Sequence, residues 1–555
     1  MRWIKSARIR LLAAVCLLMA PLFGYAPHTA AEIAPVAPLD QSFPLSTSST
    51  YVVSSADPSD PLFHKIETKL YPGPPGGIVA NSLTWTGFLR QSGRTITVDL
   101  GQSQSITKVS IQFYQFTGDG ILFPSSVHFA VSQNGKGWYD AGTVHTAVPL
   151  YQSGKLIQSY RVTMNPISAR YVRVTFPVDV WVLARNLQVY GSPWLTPSLQ
   201  RLPPLSNTTN QQGFLAPGSP TAEGIHNMLL VYSGAYGKEG TWTTKQFAPM
   251  VSYQSQTGQV QGRMFDSFLF LPYGVSLATS HGWSSYLQNL FAKGQQLSAL
   301  NETVAQAYAP LKSIGYNAPT VNVVLSIPYP NDSVKNFGSI PGIQNMSFSS
   351  SNVGAQGAYL NRQAAVDWYV QELLAKWNEA HFTHLKLVGL YWDSESVQYT
   401  APQEADLIYH ASLLANKNHL QLFWIPTFDA SGLVSWNELG FTAPIIQSNY
   451  FETPTLSVAR VEEAAKEAFT YGMGMEVEMG PSVLTNETQR VRYYNQLVAD
   501  YNTGVEDGAV HAFYDGSQVL TQAANSQNPG VRQLYIETYD FLIKQFSNST
   551  YEPLP

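Results

Sequence analysis

The sequence predicts a multidomain fold, in which an antiparallel β-sandwich precedes a (β/α)8 barrel of the TIM type. Two regions of the 555-residue chain differ in pattern. Residues 49–192 consist of short alternating runs, such as Thr95–Gly101 and Ile106–Tyr114, separated by Gly, Pro, Asn and Ser, which is typical of antiparallel strands. Residues 225–548 alternate apolar runs with amphipathic segments, which is typical of parallel strands that are each followed by a helix.

Residues 1–31 have the layout of a secretory signal peptide, which predicts a secreted, extracellular protein that is either free or associated with the cell surface. Four basic residues between positions 2 and 10 precede an apolar run that ends near Tyr25, and small residues at 29–31 offer a cleavage site. An uncleaved N-terminal anchor is the alternative. The only cysteine, Cys16, lies in this segment, so the mature chain would form neither disulfides nor thiolate metal sites.

The composition favours a carbohydrate partner. Charged residues make up 12% of the chain and aromatic residues another 12%, with 31 Tyr and 12 Trp. Ring-rich, weakly charged surfaces suit sugars, because the apolar faces of sugars stack on aromatic rings. The net charge of −5 argues against nucleic acid, which needs a basic face. The sequence has no second apolar run long enough to predict a membrane span after signal cleavage. It indicates no particular oligomeric state.

The predicted sandwich lies between two linkers rich in Pro and Ser, at 32–48 and 193–224. Its segments Ile96–Gly101, Ile106–Val109 and Ala169–Val174 resemble the discoidin (coagulation factor 5/8 type C) domain. The resemblance implies a jelly roll that commonly binds sugars or other surface ligands through loops at one end. A Gly/Pro-rich insert, Tyr71–Gly77, stands near the expected loop, so no ligand residue is carried over. Two aromatic residues that precede the first clear strand pattern, Trp85 and Phe88, fit either a place in the core or a place on a ligand-binding surface.

The barrel region has eight predicted strands, most of them followed by a predicted helix, and this number of units is typical of a closed barrel. The predicted strands are Met228–Tyr232, Phe265–Leu271, Val321–Ile327, Leu385–Tyr391, Leu420–Ile425, Ala443–Ser448, Met475–Glu478 and Val510–Tyr514. The predicted helices are Trp283–Ala309, Asn361–Ala380, Ala405–Asn416, Val458–Tyr471, Thr488–Asn502 and Gly530–Phe546. An open doubly wound sheet is the alternative, but no Gly-rich phosphate loop follows the first strand.

Two pairs of acids at strand ends are the predicted catalytic residues. Asp393 and Glu395 share one face after the fourth strand, and Glu476 and Glu478 share one face of the seventh. Glycosidic hydrolysis needs two carboxyl groups, ~5–5.5 Å apart for retention or ~6.5–9.5 Å for inversion. The prediction assigns Glu395 as general acid/base, Glu478 as nucleophile and Glu476 as its hydrogen-bonding partner. Asp393 is the alternative acid, and pairing of Glu476 and Glu478 with buried Lys or Arg is the structural alternative.

Other strand ends carry rings, amides and acids suited to binding sugar hydroxyls and ring faces. The predicted substrate-binding residues are Tyr391, Trp392, Trp424, Asp429, Gln447, Asn449, Tyr450, Tyr514 and Asp515.

The barrel segment also resembles a bacterial family known as domain of unknown function 4855. The segments that carry the resemblance are Gly389–Trp392 with Glu395, Ile425–Pro426, Gln447–Tyr450 and Gly474–Glu478. The resemblance implies a relative of barrel glycosidases without an established substrate. Ser394 stands where many barrel glycosidases carry an Asn before the acid of the fourth strand, so their mechanism does not transfer directly.

These observations predict a secreted glycoside hydrolase that acts on an extracellular or cell-wall polysaccharide, with the sandwich as an accessory carbohydrate-binding domain. The alternative is a non-catalytic surface protein that binds carbohydrate and uses the barrel as a scaffold. No cofactor and no metal are expected, because the sequence has no His-Glu-x-x-His or His-x-His spacing. A hard cation held by Asp393, Glu395 and Glu476 stays open, and no Gly-x-Ser-x-Gly elbow supports a serine hydrolase.

Overall fold

The computed structural model describes most of the chain from residue 42 onward. The described residues are 42–55, 85–89, 93–117, 120–149, 152, 154–195, 201–205, 212–234, 240–274, 276–516 and 518–555. The predicted signal peptide, most of the first predicted linker and the insert at Tyr71–Gly77 lie outside them. Within these ranges, no helix is long and apolar enough to cross a membrane.

The described part of the first domain is an antiparallel β-sandwich, as the sequence predicts. Its strands are β1 (Phe43–Pro44), β2 (Thr50–Ser55), β3 (Thr86–Leu89), β4 (Arg94–Phe116), β5 (Ser126–Ser132), β6 (Tyr139–His145), β7 (Lys155–Phe176) and β8 (Trp181–Ser192). The strand order is β1-β8-β4-β7-β5-β6, and β2 and β3 pair with β4 and β8.

Strands β4 and β7 are far longer than the short strands that the sequence indicates. Thr95–Gly101 and Ile106–Tyr114, which look like separate strands, both belong to β4. The pairing of β4 with β7 shifts register twice, between Asp99 and Gln104 and between Ile106 and Lys108. Such bulges bend a strand, so the Gly and Ser residues that suggest a turn instead mark an irregular stretch within one long strand.

The two candidate rings of the sandwich have different positions. Phe88 is 1% exposed and packs against Phe176, so it belongs to the core. Trp85 is partly exposed, lies 5.4 Å from the ring of Tyr114 and has the guanidinium of Arg185 4.1 Å above its ring centroid. A cation therefore already covers one face of Trp85.

The second domain contains a closed, parallel eight-stranded barrel, which confirms the predicted fold class. The barrel strands are β9 (Asn227–Gly234), β12 (Ser267–Tyr273), β13 (Val321–Ile327), β16 (Leu385–Trp392), β17 (Gln421–Trp424), β18 (Ala443–Ile446), β19 (Gly474–Glu478) and β20 (His511–Tyr514). Two short antiparallel pairs accompany the barrel strands, β10 (Ser252–Gln254) with β11 (Val260–Arg263) and β14 (Gly338–Ile340) with β15 (Ile343–Met346).

The helices differ from the predicted ones mainly near glycines. The main helices are α1 (Thr244–Val251), α2 (Ser280–Leu290), α3 (Gln296–Tyr308), α4 (Ser350–Ala380), α5 (Glu404–Lys417), α6 (Ala459–Tyr471), α7 (Glu487–Asn502), α8 (Val505–Gly508), α9 (Val519–Ala524) and α10 (Pro529–Leu542). The single helix predicted over Trp283–Ala309 is two helices, because the chain between them turns at Gly294 with φ of +72°. Helix α4 begins before the predicted start and has a kink at Gly354, also with φ of +72°.

The interior of the barrel is apolar and its lower end is closed. Leu230, Leu271 and Ile425 belong to the interior cluster. Leu215 and Ile225, which flank the end of the second predicted linker, are buried in the same cluster. This stretch thus plugs the end of the barrel at which the strands begin, and the opposite rim, formed by the strand ends, is where barrels of this kind bind their ligands.

The sandwich contacts the loop that follows β17. A carboxyl oxygen of Asp179 accepts a hydrogen bond from the backbone N–H of Gly432 at 2.8 Å. The same loop is bonded to the loop that follows β16, because Val397 N donates to Ser431 O at 3.0 Å and Thr427 N donates to Glu395 O at 3.1 Å. The sandwich therefore supports, through the loop after β17, the loop after β16 that carries the predicted catalytic acid Glu395.

A buried ion pair joins the loops after β13 and β16. The guanidinium of Arg362 on α4 pairs with the carboxylate of Glu404 on α5, and both side chains are almost fully buried. Arg362 also donates to the backbone oxygens of Pro330 at 2.8 Å and Pro402 at 3.1 Å. One side chain thus fixes two loops at the rim.

Replacing Arg362 by Met is expected to lower the free energy of unfolding by about 3–5 kcal/mol, because Glu404 would be left as a buried, unpaired acid. Urea denaturation followed by circular dichroism measures the loss. The double variant Arg362→Met/Glu404→Gln should recover part of it. A loss below ~1 kcal/mol in the single variant would contradict this role.

Candidate active site

The alternation of side chains along β16 and β19 brings the four predicted catalytic acids to one place. Trp392 points outward into the core between barrel and helices, while Tyr391 and Asp393 point inward. In β19, Val477 points outward, and Glu476 and Glu478 on either side of it point inward. All four acids line the same cavity at the rim of the barrel.

The cavity has a volume of about 270 Å³, close to the lower end of the range for small-molecule pockets, roughly 300 Å³. Its floor is apolar and its walls carry carboxyl, phenol and amide groups. The lining residues are Leu230, Tyr232, Leu271, Tyr391, Asp393, Glu395, Ile425, Gln447, Asn449, Glu452, Glu476, Glu478 and Tyr514.

Backbone N–H groups hold the carboxyl group of Glu478 in place. Asn449 N donates to Oε1 at 2.9 Å, and Phe451 N donates to Oε2 at 3.3 Å. Asn449 has φ of +52°, and its side chain donates to Gln447 Oε1 at 2.8 Å and accepts from Phe428 N at 2.8 Å. These contacts fix the turn after β18, so its two N–H groups point at Glu478.

The other three acids have different surroundings. Within the described part of the chain, no hydrogen bond or ion pair involves the carboxyl groups of Asp393, Glu395 or Glu476. Glu476 is 3% exposed and lies deepest, whereas Glu395 is exposed at the mouth. These three carboxyl groups are therefore available to a molecule that enters the cavity.

Burial and mutual repulsion raise the proton affinity of this cluster. Burial, with repulsion from Glu395, raises the pKa of Asp393 to about 7. Burial also raises the pKa of Glu476 well above its ordinary value, and the neighbouring Glu478 and Glu395 add to the shift. Burial raises the pKa of Glu478 to about 7 even though the N–H groups of Asn449 and Phe451 favour the carboxylate. The cluster thus retains protons near neutral pH.

Three tyrosines complete the wall of the cavity. Burial raises the pKa of Tyr514 to about 12, and it raises the pKa values of Tyr232 and Tyr391 further. Their hydroxyl groups therefore stay protonated and can donate hydrogen bonds to a ligand. The rings of Tyr232 and Tyr514 pack edge to face with centroids 6.0 Å apart.

The two predicted tryptophan platforms, Trp392 and Trp424, do not reach the cavity. Both rings are 0% exposed and pack outside the barrel, since their neighbours in β16 and β17 point inward. Trp424 stacks on Phe441 with centroids 4.5 Å apart, and its indole N–H donates to Ser394 O at 2.7 Å. It therefore positions the loop that carries Glu395 rather than contacting a ligand.

Asp429, Tyr450 and Asp515 also lie away from the acids. Asp429 is exposed on the side of the β17 loop that faces the sandwich. Tyr450 is 2% exposed beneath the guanidinium of Arg492, which lies 3.9 Å above its ring centroid. Asp515 is buried and accepts a hydrogen bond from the N–H of Leu520 in α9 at 3.1 Å. Tyr450 and Asp515 thus have structural partners in place of a ligand, and Asp429 lies outside the cavity that holds the acids.

Two polar lining residues, Tyr232 and Glu452, are absent from the predicted set. Tyr232 lies two positions after Leu230 on the inward face of β9, so the alternation along that strand was a usable signal. Glu452 lies in the loop after β18, close to Gly480, and nothing in the sequence indicates its direction.

Comparisons with known proteins match both domains to families. The model described as Domain of unknown function (DUF4855) matches residues 227–540, and the F5/8 type C domain model matches residues 66–186. Both resemblances seen in the sequence are thereby confirmed. Comparison with curated proteins returns no match.

Several solved structures are similar to part of the chain. Chitosan-binding module 1 of a chitosanase/glucanase from Paenibacillus sp. IK-5 is 20% identical, with a TM-score of 0.20 over 27% of this chain and 99% of that chain. CpGH89CBM32-5 from Clostridium perfringens, in complex with GalNAc-beta-1,3-galactose, is 15% identical with a TM-score of 0.20, over 27% and 100% of the two chains. A Ruminococcus gnavus GH29 fucosidase in complex with fucose is 15% identical with a TM-score of 0.19, and the similarity spans 29% of this chain and 28% of the fucosidase.

Replacing Glu476 by Gln is expected to stabilise the protein at pH 8. The pKa of Glu476 is near 4.5 in the unfolded chain and well above that value in the folded state. The folded state therefore holds this proton more tightly. Stability is therefore lost as the pH rises above ~4.5, and Gln abolishes that loss. Urea denaturation should show a gain of more than about 1 kcal/mol at pH 8 and almost none at pH 4.5.

The matched control is Glu372→Gln on an exposed face of α4, which should change stability little at either pH. A Glu476→Gln variant that is no more stable than the wild type at pH 8 would show that this acid is compensated in the folded protein.

Proposed function

The chain belongs to the DUF4855 family, and we propose that its barrel is a glycoside hydrolase that acts on an extracellular or cell-wall polysaccharide. The main support for this proposal is that two pairs of acids, one just after β16 and one on β19, line the same cavity at the rim. Hydrolysis of a glycosidic bond by this mechanism needs two carboxyl groups on either side of the bond. Strand ends of such barrels are where catalytic residues are found.

We assign the two chemical roles to Glu395 and Glu478. Glu395 donates a proton to the glycosidic oxygen as the bond from that oxygen to the anomeric carbon breaks. The carboxylate of Glu478 forms a bond to the anomeric carbon in its place. Water then attacks that carbon, gives its proton to Glu395 and releases Glu478, which regenerates both groups.

The surroundings of each acid support these roles. The two N–H groups on Glu478 orient its carboxylate and stabilise its charge. Burial and repulsion from Glu395 raise the pKa of the adjacent Asp393 to about 7, so Asp393 keeps a proton beside Glu395 near neutral pH. Glu395 is the exposed member of that pair, where a departing sugar can leave to solvent.

The remaining cavity groups suit the binding of sugar hydroxyls. Tyr232, Tyr391 and Tyr514 supply protonated phenols, and Gln447 and Asn449 supply amides. We propose that the sandwich, which has the F5/8 type C fold, holds the secreted protein on its polysaccharide. Its contact through Asp179 then also steadies the loop that carries Glu395.

Replacing Glu478 by Gln, or Glu395 by Gln, is expected to lower the release of reducing ends from the substrate by about a thousandfold. The fold should stay intact, as judged by circular dichroism and the unfolding midpoint. Reducing-sugar assays on the full chain measure the rates, with Glu372→Gln as a control that keeps wild-type activity.

Full activity in both variants would overturn the two-carboxylate mechanism. Loss of activity in Asp393→Asn with little effect in Glu395→Gln would move the acid role to Asp393. Saturable glycan binding without any reducing ends, even for the wild type, would instead identify a non-catalytic carbohydrate-binding protein.

The activity is expected to fall as the pH rises through about 7, because Asp393 then loses its proton and the new charge beside Glu395 hinders proton donation to the leaving group. The profile of kcat/KM against pH for the wild type measures this descending limb. Asp393→Asn removes the group whose pKa is about 7, so this limb should be lost from the profile. A limb that stays in place in this variant would contradict the contribution of Asp393.

A further inference from the structure

We infer, on the basis of the proposed function, that the sugar bound in the cavity carries a free, positively charged amino group. The preferred substrate class is accordingly a polysaccharide of amino sugars that lack N-acetyl groups, such as glucosamine or galactosamine.

The charge of the cavity is one-sided. Five of its lining residues carry carboxyl groups, Asp393, Glu395, Glu452, Glu476 and Glu478. Among the lining residues that the structure describes, none is Lys, Arg or His. The proposed reaction uses Glu395 and Glu478, with Asp393 beside them, so Glu452 and Glu476 remain for other work. A cationic ligand would be attracted to this field, and a uronic acid would be repelled.

The deepest acid gives an independent observation. Glu476 is 3% exposed, points into the cavity, and has no hydrogen bond or ion pair to the described residues. Burying a carboxyl group without a partner costs free energy, and a protein retains such a group where a ligand supplies the partner. A sugar ammonium group has three N–H donors, which suit the two carboxyl oxygens of Glu476.

The arrangement of the acids favours an organic cation over a metal ion. No group of three or more His, Cys, Asp or Glu residues within the described ranges is arranged to hold a metal. The phenols and amides of the wall would bind hydroxyls on the same ring. An ammonium group attached to a sugar satisfies both features of the cavity at once.

Glu452 is the residue that we expect to set this preference. It lies exposed at the mouth, beside Gly480, and its charge raises the pKa values of Glu478 and Tyr514. It has no part in the two-carboxylate reaction assigned above. Its charge would contact the amino group of a neighbouring sugar unit or guide the polymer into the cavity.

The test uses oligosaccharides of glucosamine and of galactosamine, each prepared in N-acetylated and de-N-acetylated form, beside neutral and uronate oligosaccharides. The full chain is assayed for kcat/KM by reducing ends, and for binding by isothermal calorimetry with both the wild type and Glu478→Gln. We expect the de-N-acetylated form to be preferred by about tenfold or more over its acetylated match, both in kcat/KM and in affinity.

The outcomes separate the two proposals. Equal or better hydrolysis of neutral, acetylated or uronate oligosaccharides would overturn the ammonium preference and leave the glycosidase proposal standing. Absence of hydrolysis together with tighter binding of the de-N-acetylated form would overturn the glycosidase proposal alone. Absence of both would overturn both, and a preference that requires added Ca²⁺ would replace the ammonium group with a metal ion.

The variant Glu452→Gln tests the source of the preference. It should raise KM for the de-N-acetylated substrate by about tenfold with a smaller change in kcat, and it should weaken the dependence of KM on salt. Glu372→Gln, a loss of one exposed acid far from the rim, should change neither quantity. An unchanged KM in Glu452→Gln would remove this residue from the proposal.

Discussion

The burial of several carboxyl groups in one cavity, with no basic partner among the described lining residues, is the constraint on which the rest of the site depends. Such a cluster is costly, and the costs appear as raised pKa values at Asp393, Glu476 and Glu478. Burial of apolar side chains in the barrel interior and at its plugged lower end offsets such costs, and the buried Arg362–Glu404 pair fixes two rim loops. Strain of this kind, concentrated at one place, is typical of a functional site.

Contacts within the rim loops and with the sandwich position the acids. Trp424 holds the backbone of the β16 loop through its indole N–H, and the sandwich steadies the adjoining β17 loop through Asp179. Asn449 turns the chain after β18 so that two N–H groups face Glu478. Position and charge of the two proposed catalytic groups thus rest on three different loops and on the accessory domain.

Much of this was predictable from the sequence. Val321–Ile327 was predicted with the bounds that the structure has, because apolar runs in parallel strands are continuous. The alternation that paired the acids would also have excluded Trp392 and Trp424, had it been applied to them. Tyr450, Glu452 and Asp515 lie in loops, where contacts with distant residues such as Arg492 set the direction of a side chain, so sequence pattern carries no signal for them.

In the proposed mechanism, Glu478 attacks the anomeric carbon while a protonated acid just after β16 assists the leaving group. Proton NMR of the first reducing sugar released by the full chain distinguishes this mechanism from inversion. A double displacement through Glu478 gives a new anomeric signal with the configuration of the bond that was cleaved. A product of opposite configuration would contradict the role of Glu478 as nucleophile, and the absence of any new anomeric signal would contradict hydrolysis itself.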